Sequence, residues 1–289
     1  MRRSRRKEKT MAEITIGLLH PGEMGSVVGA CARAGGARVL WASEGRSAPS
    51  RARAAADGLE DAGALGALVA RSAVILSVCP PHAAADVARA VAALRFSGIY
   101  VDANAIAPAT ARNVGAIVER AGATFVDGGI VGPPPRTRGT TRLYLSGREA
   151  KRAGALFAET PLETITLDGP PGAASALKMG YAAWTKCTAA LIMSIRAMAG
   201  AEGVDEALLR EWQRSQPDLP ARSEAAVKSS ARKAWRFVGE MEEMAATFAG
   251  AGLPDGVQRA AADIYRRLAG YKDAAAPPSV AEVARTLRS

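Results

Sequence analysis

Residues 14–25 limit the possible fold most strongly, because an apolar run is followed there by a Gly/Pro turn and then by small residues. The segment reads Ile-Thr-Ile-Gly-Leu-Leu-His-Pro-Gly-Glu-Met-Gly, and a helical stretch continues to Arg33. A strand, a glycine turn and a helix start together bind the pyrophosphate of a dinucleotide, since the helix N-terminus attracts the anion and the glycines let the backbone approach it. We therefore predict a Rossmann-type nucleotide site formed by His20, Pro21, Gly22, Glu23, Met24 and Gly25.

The glycine fingerprint is incomplete. In the G-x-G-x-x-G frame, His20 takes the first position, and Gly22 and Gly25 take the second and third. His20 either stacks on or hydrogen-bonds the cofactor, or it only fills space. The assignment of residues 20–25 to a nucleotide site therefore depends on the predicted fold and on further motifs in the rest of the chain.

Apolar runs alternate with helical stretches through the first 167 residues. Strands are predicted at 13–19, 37–42, 72–78, 98–102, 123–127, 142–147 and 163–167, with helices at 26–33, 50–56, 61–70, 83–94, 108–121 and 148–157. This alternation predicts an α/β fold with a mostly parallel, doubly wound sheet.

No strand is predicted after residue 167. Helices are expected at 171–200, 206–213, 221–251 and 256–269. Lys178, Lys186 and Arg196 interrupt the first of these, which argues against a membrane span. We predict a dinucleotide-binding domain at 12–169, joined by a long helix to an all-helical domain within 170–289.

Much of the positive charge of the chain lies in a short N-terminal tail. The chain has a net charge of +10, and the first ten residues hold six basic residues and one acidic residue. We predict that residues 1–11 form a disordered basic tail, with a nucleic-acid-binding arm as the less favoured alternative. The apolar run after it is too short for a secretory signal.

Cysteine and histidine usage indicates the compartment. Cys31, Cys79 and Cys187 lie far apart, and the chain has only two histidines. We expect no disulfide framework, no metal site and a cytoplasmic location, with neither a membrane nor a nucleic acid as partner.

The segment after the second predicted strand bears on cofactor preference. It reads Ser43-Glu44-Gly45-Arg46-Ser47. An acidic residue here binds the ribose hydroxyls of NAD, whereas arginine and serine bind the 2′-phosphate of NADP. Ser43, Arg46 and Ser47 favour NADP, Glu44 leaves NAD open, and a solvated turn is the remaining alternative.

Four further motifs follow the glycine turn in chain order. They are Cys79-Pro80 after a strand, Asp-Ala-Asn-Ala-Ile-Ala-Pro at 102–108, Asp-Gly-Gly-Ile-Val-Gly-Pro at 127–133, and Gly-Ala-Ala-Ser-Ala-Leu-Lys at 172–178. With the glycine turn, this series resembles the β-hydroxyacid dehydrogenase superfamily. That superfamily includes the 6-phosphogluconate and 3-hydroxyisobutyrate dehydrogenases and the imine reductases. The chain is most similar to the branch with a C-terminal domain of unknown function.

The resemblance implies a role for each motif. Lys178 would be the general acid/base. Asn104 would contact the nicotinamide or the substrate, although an asparagine that caps the turn before Pro108 is the alternative. The resemblance also implies a homodimer formed through the helical domain. Cys79 and Pro80 join the cofactor site, and the implied substrate contacts are Gly129, Val131, Gly132, Lys178 and Tyr181.

The chain departs from the family pattern at three places. Val131 replaces a serine, and Ala182 stands where the family has asparagine. Gly239-Glu240 stands where the family has a Lys-Asp pair, which predicts that the second lysine is absent. A bulkier or less charged substrate than a simple 3-hydroxy acid fits these changes.

The leading hypothesis is therefore an NADP-preferring oxidoreductase that moves hydride between the nicotinamide and a small hydroxy/keto substrate. The alternatives are an imine reductase and a non-catalytic dinucleotide sensor.

Overall fold

The computed structural model describes residues 14–289, so the predicted tail at 1–11 lies outside the described residues. The fold is built on an eight-stranded sheet of order β3-β2-β1-β4-β5-β6-β7-β8. Every neighbouring pair is parallel except β6 with β7. The strands are β1 (Thr15–Leu19), β2 (Arg38–Trp41), β3 (Glu60–Asp61), β4 (Val74–Ser77), β5 (Ile99–Asp102), β6 (Thr124–Val131), β7 (Thr141–Ser146) and β8 (Leu162–Thr166).

Helices cover both faces of this sheet, which confirms the predicted doubly wound α/β architecture. Alternate strand residues enter two separate apolar layers, with Leu18 in one and Leu19 in the other. The covering helices are α1 (Glu23–Ala34), α2 (Ala48–Ala56), α3 (Leu65–Arg71), α4 (Ala84–Ala93), α5 (Pro108–Arg120) and α6 (Ala150–Ala155).

The strand register brings three loops and the middle of β6 to one edge of the sheet. Leu19 pairs with Ser77, Ser77 with Asp102, and Asp102 with Asp127. The chain order reverses between β1 and β4, and ligands of open α/β sheets bind at such a switch point beyond the carboxyl ends of the strands. The loops after β1, β4 and β5 and the middle of β6 therefore define one candidate site.

The chain after β8 is entirely helical and has its own apolar core, which includes Met179, Met241 and Tyr265. None of the described helices is long and apolar enough to cross a bilayer. The helices are α7 (Ala173–Ala182), α8 (Thr188–Ala201), α9 (Asp205–Ser215), α10 (Leu219–Ser230), α11 (Ala234–Gly250), α12 (Gly256–Arg267) and α13 (Val280–Arg288).

The long helix predicted at 171–200 is present, but a π turn at Ala183–Cys187 separates α7 from α8. The single helix predicted at 221–251 is wrong, because α10 and α11 are separated by a short 3₁₀ segment at Ala231–Lys233. Serine hydroxyls compete with helical hydrogen bonding at that break, where the Ser229 hydroxyl donates to the Ala226 carbonyl at 3.4 Å.

Two elements were not predicted. The first is the strand β3, which has only two residues. Because β3 includes Asp61, the helix predicted at 61–70 begins at Leu65 instead. Helix α13 starts with a capping box between Ser279 and Glu282, a sequence signal that could have revealed it.

Candidate functional site

The turn after β1 has the close packing that a dinucleotide turn requires. His20 adopts a φ of 67°, the left-handed conformation that usually favours glycine. A Cβ atom on Gly25 would lie 2.4 Å from the His20 carbonyl oxygen, so helix α1 can approach the turn only because residue 25 is glycine. At Gly22 a Cβ atom would have nothing within 4 Å, which leaves the backbone there open to a ligand.

The groups around this turn fit an anionic ligand. Helix α1 begins at Gly22 without a side-chain cap, so its first N–H groups remain available. His20 Nδ1 and Ser26 Oγ are buried with no hydrogen-bond partner within residues 14–289. Burial, and then the charge of Arg46, lowers the pKa of His20 to about 4, so the imidazole is uncharged at neutral pH.

A groove runs from this turn between the ends of β1 and β2. Of the three residues that favour NADP, only Arg46 lines it, together with Glu44. Ser43 is buried, and its carbonyl accepts a 2.8 Å hydrogen bond from Arg51. Ser47 starts α2 and contacts Ser50. The groove lining is Leu18, Leu19, His20, Ala42, Glu44, Arg46 and Leu65.

Asn104 joins the ends of β4 and β5. Its Oδ1 accepts from the Cys79 N–H at 2.6 Å, and its Nδ2 donates to Asp102 at 2.8 Å and to Ser77 at 3.2 Å. Both amide hydrogens are therefore used inside the protein. The side chain holds the Cys79-Pro80 loop in place, and it does not cap the turn before Pro108.

Asp127 fastens the start of α7 to the sheet. Its carboxylate is fully buried and accepts from the Gly172 N–H (2.9 Å), the Ser175 N–H (3.0 Å), the Ser175 hydroxyl (2.5 Å) and the Ser146 hydroxyl (2.9 Å). A carboxylate at a helix N-terminus also interacts favourably with the helix dipole. Sequence reasoning placed Asp127 in a motif but missed this anchoring role.

Lys178 lies on α7 directly above the strand β6. A Cβ atom on Gly129 would be 2.9 Å from the Lys178 Cβ and 2.7 Å from the Ala174 carbonyl, so the glycine allows this close contact. Burial lowers the pKa of Lys178 to about 8. The lysine has no hydrogen-bonding or ion-pair partner in the part of the chain that the structure describes. A partly buried, unpaired lysine of this kind is suited to donate a proton.

The other predicted substrate residues are less closely grouped. Val131 is buried at the end of β6 opposite Arg142, and Gly132 continues that strand end with a φ of 126°. Tyr181 shares α7 with Lys178, but its side chain is 48% exposed. Gly129 lies directly against Lys178.

The sequence has no lysine at Gly239-Glu240, but the structure brings another lysine, Lys186, against Glu240. Lys186, in the π turn, donates a hydrogen bond to Glu240 of α11, and its Nζ lies 4.2 Å from the centre of the Phe237 ring. The Tyr265 hydroxyl holds the turn by donating to the Lys186 carbonyl at 2.8 Å. The lysine thus comes from the interdomain helix and the carboxylate from the later helix. The position of Lys186, a second lysine in the apolar stretch 171–200, was the available signal.

Helix α11 makes two further bridges to the Rossmann domain. Arg236 donates to Glu23, the first residue of α1, at 3.3 Å. Glu243 accepts from the Ala107 N–H at 2.6 Å and from the Thr110 hydroxyl at 2.8 Å, both at the start of α5. Sequence reasoning missed these residues, because nothing local marks a contact across more than 130 positions.

The family model for a domain of unknown function, DUF1932, matches residues 199–268. An uncharacterized 28.5 kDa protein from the 7S RNA 5′ region of Methanothermus fervidus is 31% identical over 143 residues. That alignment covers 49% of this chain and 54% of the other protein, so the chain spans about half the length of the curated relative it matches.

Several solved structures share the fold. The conserved protein MTH1747, of unknown function and described as similar to 3-hydroxyacid dehydrogenases, is 26% identical with a TM-score of 0.66, covering 90% of this chain and 100% of that one. Mycobacterium tuberculosis 3-hydroxyisobutyrate dehydrogenase with L-serine is 20% identical, with a TM-score of 0.67 and coverage of 96% and 100%.

Reductases match the fold with lower TM-scores. A reductive aminase from Aspergillus terreus, solved with NADPH and ethyl levulinate, is 16% identical with a TM-score of 0.55 and coverage of 94% and 98%. Imine reductases share the fold as well. The motif order, the sheet topology and these comparisons together lead to one conclusion: the chain has the fold that MTH1747 and the 3-hydroxyisobutyrate dehydrogenases share, a Rossmann domain followed by a helical domain, and residues 199–268 of the helical part match the DUF1932 model.

Proposed function

We propose that this protein is an NAD(P)-dependent oxidoreductase that prefers NADP and moves hydride between the nicotinamide and a small hydroxy/keto substrate. The observation that carries this proposal is Lys178, a partly buried and unpaired lysine held over Gly129 at the sheet edge that also carries the glycine turn. The comparisons support the coarser part, since the structures that resemble this chain include dehydrogenases and reductases.

Different residues of the site would bind the cofactor, transfer the proton and position the neighbouring loop. The open N-terminus of α1 and residues 20–25 would bind the pyrophosphate, and Arg46 would bind the 2′-phosphate. The cofactor, when bound, supplies the hydride that adds to the carbonyl carbon as the C=O π bond breaks. Lys178 Nζ donates a proton to the resulting alkoxide oxygen, and in the oxidation direction it accepts that proton. Asn104 keeps the loop beside this centre in position.

Arg46 gives a direct test of cofactor preference. We expect Arg46→Ala to weaken NADPH binding by roughly tenfold or more, because a hydrogen bond between charged groups is lost, while NADH affinity changes by less than about threefold. Fluorescence titration with both cofactors measures this. Arg89→Ala, on an exposed part of α4, is the matched control. Equal losses for NADPH and NADH would contradict the assignment of Arg46 to the 2′-phosphate.

Two other functions remain alternatives, and one screen separates all three. Imine reduction is favoured by the apolar Val131, where the family has a hydroxyl, and a non-catalytic sensor by the incomplete glycine fingerprint. Cofactor titration comes first, followed by rate measurements with aldehydes, keto acids and cyclic imines. Turnover of imines alone would favour the imine reductase, and NADPH binding without any turnover would favour the sensor.

We also propose a domain boundary near residue 169, just before α7, and a cytoplasmic location, which suits three buried cysteines that are free thiols.

The exposed face of the long helix supports a homodimer. Leu191 and Met198 are seven residues apart on α8, so they share one face of that helix, and their side chains are 58% and 54% exposed. Trp184, in the adjoining π turn, is 67% exposed. We expect Leu191→Glu to convert a dimer into a species near the chain mass of 29.9 kDa, measured by size-exclusion chromatography with light scattering. Arg210→Glu, on the exposed face of α9, should leave the mass unchanged. A wild-type protein that is already monomeric would overturn the homodimer.

A further inference from the structure

Two carboxylates of α11 already occupy positions that would attract an anion. The first is the N-terminus of α5, a helix of 13 residues that starts at Ala107 without a polar side-chain cap. Such a terminus attracts an anion. Glu243 supplies one, because it accepts hydrogen bonds from the Ala107 N–H and from Thr110. Helix α11, which carries Glu243, contacts both α5 and α7.

The second position is Lys186. Two turns of α-helix hold about 7.2 residues, and a π turn takes up roughly one more. The eight steps from Lys178 to Lys186 therefore complete two turns, and both lysines lie on the same face of the helix. Consistent with this placement, burial and then the charge of Lys178 lower the pKa of Lys186. Arg236 and Lys233 act in the same direction.

Glu240 already neutralises the positive charge of Lys186. The side chains of Lys186 and Glu240 are only 17% and 14% exposed, and they form an ion pair over the Phe237 ring. A substrate carboxylate could reach Lys186 only by displacing Glu240, which would leave a buried, unpaired carboxylate at substantial cost. Of the two other cations that act on Lys186, Arg236 is paired with Glu23, and Lys233 is exposed to solvent.

We propose that Glu240 and Glu243 make this cleft selective for uncharged carbonyl or imine substrates, because they occupy the positions where a substrate carboxylate would bind. This inference rests on the proposed oxidoreductase function. It adds two specificity-determining residues from α11, and it extends the change at Val131, which places an apolar side chain where the family has a hydroxyl.

A matched pair of four-carbon aldehydes tests the selectivity. Succinic semialdehyde carries a carboxylate where butanal carries a methyl group. We expect the wild-type kcat/KM to be at least about tenfold higher for butanal, since like charges facing each other oppose binding. Glu240→Gln or Glu243→Gln should shift the ratio towards the acid by about tenfold. The matched control is Glu242→Gln, an exposed neighbour on α11 that pairs with Arg266.

A second readout does not depend on turnover. Lys178 can be labelled at pH 8 with an amine-reactive reagent and quantified by peptide mass spectrometry, in the NADPH-saturated protein, with and without excess succinate. We expect succinate to leave labelling of the wild type unchanged and to slow it several-fold in Glu240→Gln.

Each outcome decides between the alternatives. Protection of wild-type Lys178 by succinate, or no gain of protection in either glutamine variant, would overturn the selectivity proposal. Absence of NADPH binding would instead overturn the proposed function. If neither aldehyde is turned over, the labelling result still decides whether Glu240 and Glu243 exclude anions.

Discussion

Replacing Lys178 with alanine is expected to lower kcat by ~10²–10⁴, the usual contribution of a general acid, while NADPH still binds. The reason is geometric as well as chemical. Lys178 is held against Gly129, and it has no carboxylate partner within residues 14–289, so its proton is available to a substrate oxygen. Steady-state kinetics and NADPH titration of the same protein measure both quantities.

Lys178→Arg separates charge from proton transfer. Arginine keeps the positive charge, but it stays protonated throughout the accessible pH range, so we expect it to be nearly as inactive as alanine. Lys151→Ala, on the exposed face of α6, is the matched control and should retain wild-type activity. Normal turnover of Lys178→Ala would remove Lys178 from the mechanism.

The same residue predicts the direction of the pH dependence. Burial lowers the pKa of Lys178 from 10.5 to about 8. Reduction needs the protonated lysine, so its kcat/KM should be level below about pH 8 and fall about tenfold per pH unit above it. Oxidation needs the neutral amine, so its kcat/KM should rise up to about pH 8. Rates measured in both directions over this range test the two slopes.

Local sequence patterns were sufficient for seven of the eight strands and for the order of the motifs. Period and composition reveal buried strands directly, since a strand covered on both faces reads as an apolar run. The glycine turn, the segment 102–108 and Lys178 could be identified because each motif is contiguous. Their convergence at one sheet edge then follows from the register of β1, β4, β5 and β6.

Contacts between distant residues could not be predicted in the same way. The Lys186–Glu240 pair joins positions 54 residues apart, and its lysine comes from a different helix than the lysine of the family's Lys-Asp pair. The π turn that orients Lys186 depends on tertiary partners such as the Tyr265 hydroxyl, which no local propensity encodes. For Asn104, the residue type indicated a polar role, but only the structure shows that both amide hydrogens are used internally.

The second large effect is expected at Asp127, whose carboxylate organises the start of α7. Removing it leaves the Gly172 and Ser175 N–H groups and two serine hydroxyls without their buried acceptor. We expect Asp127→Ala to lower the free energy of unfolding by about 3–5 kcal/mol, the range for breaking a buried charged contact. Calorimetry should show a fall in Tm of roughly 10 °C.

Asp127→Asn tests whether Asp127 fixes α7 through the hydrogen bonds of its carboxylate or only through the volume of its side chain. Asparagine keeps the volume, but its NH₂ group must face N–H or O–H donors, so we still expect a loss of stability, smaller than that of alanine. Because the anchor positions α7, kcat should fall in this variant while NADPH affinity at the distant glycine turn is retained. Asp168→Asn, an exposed aspartate after β8, is the matched control. Unchanged Tm and unchanged kcat in Asp127→Asn would show that the helix holding Lys178 is fixed by its apolar contacts with the sheet and not by this carboxylate.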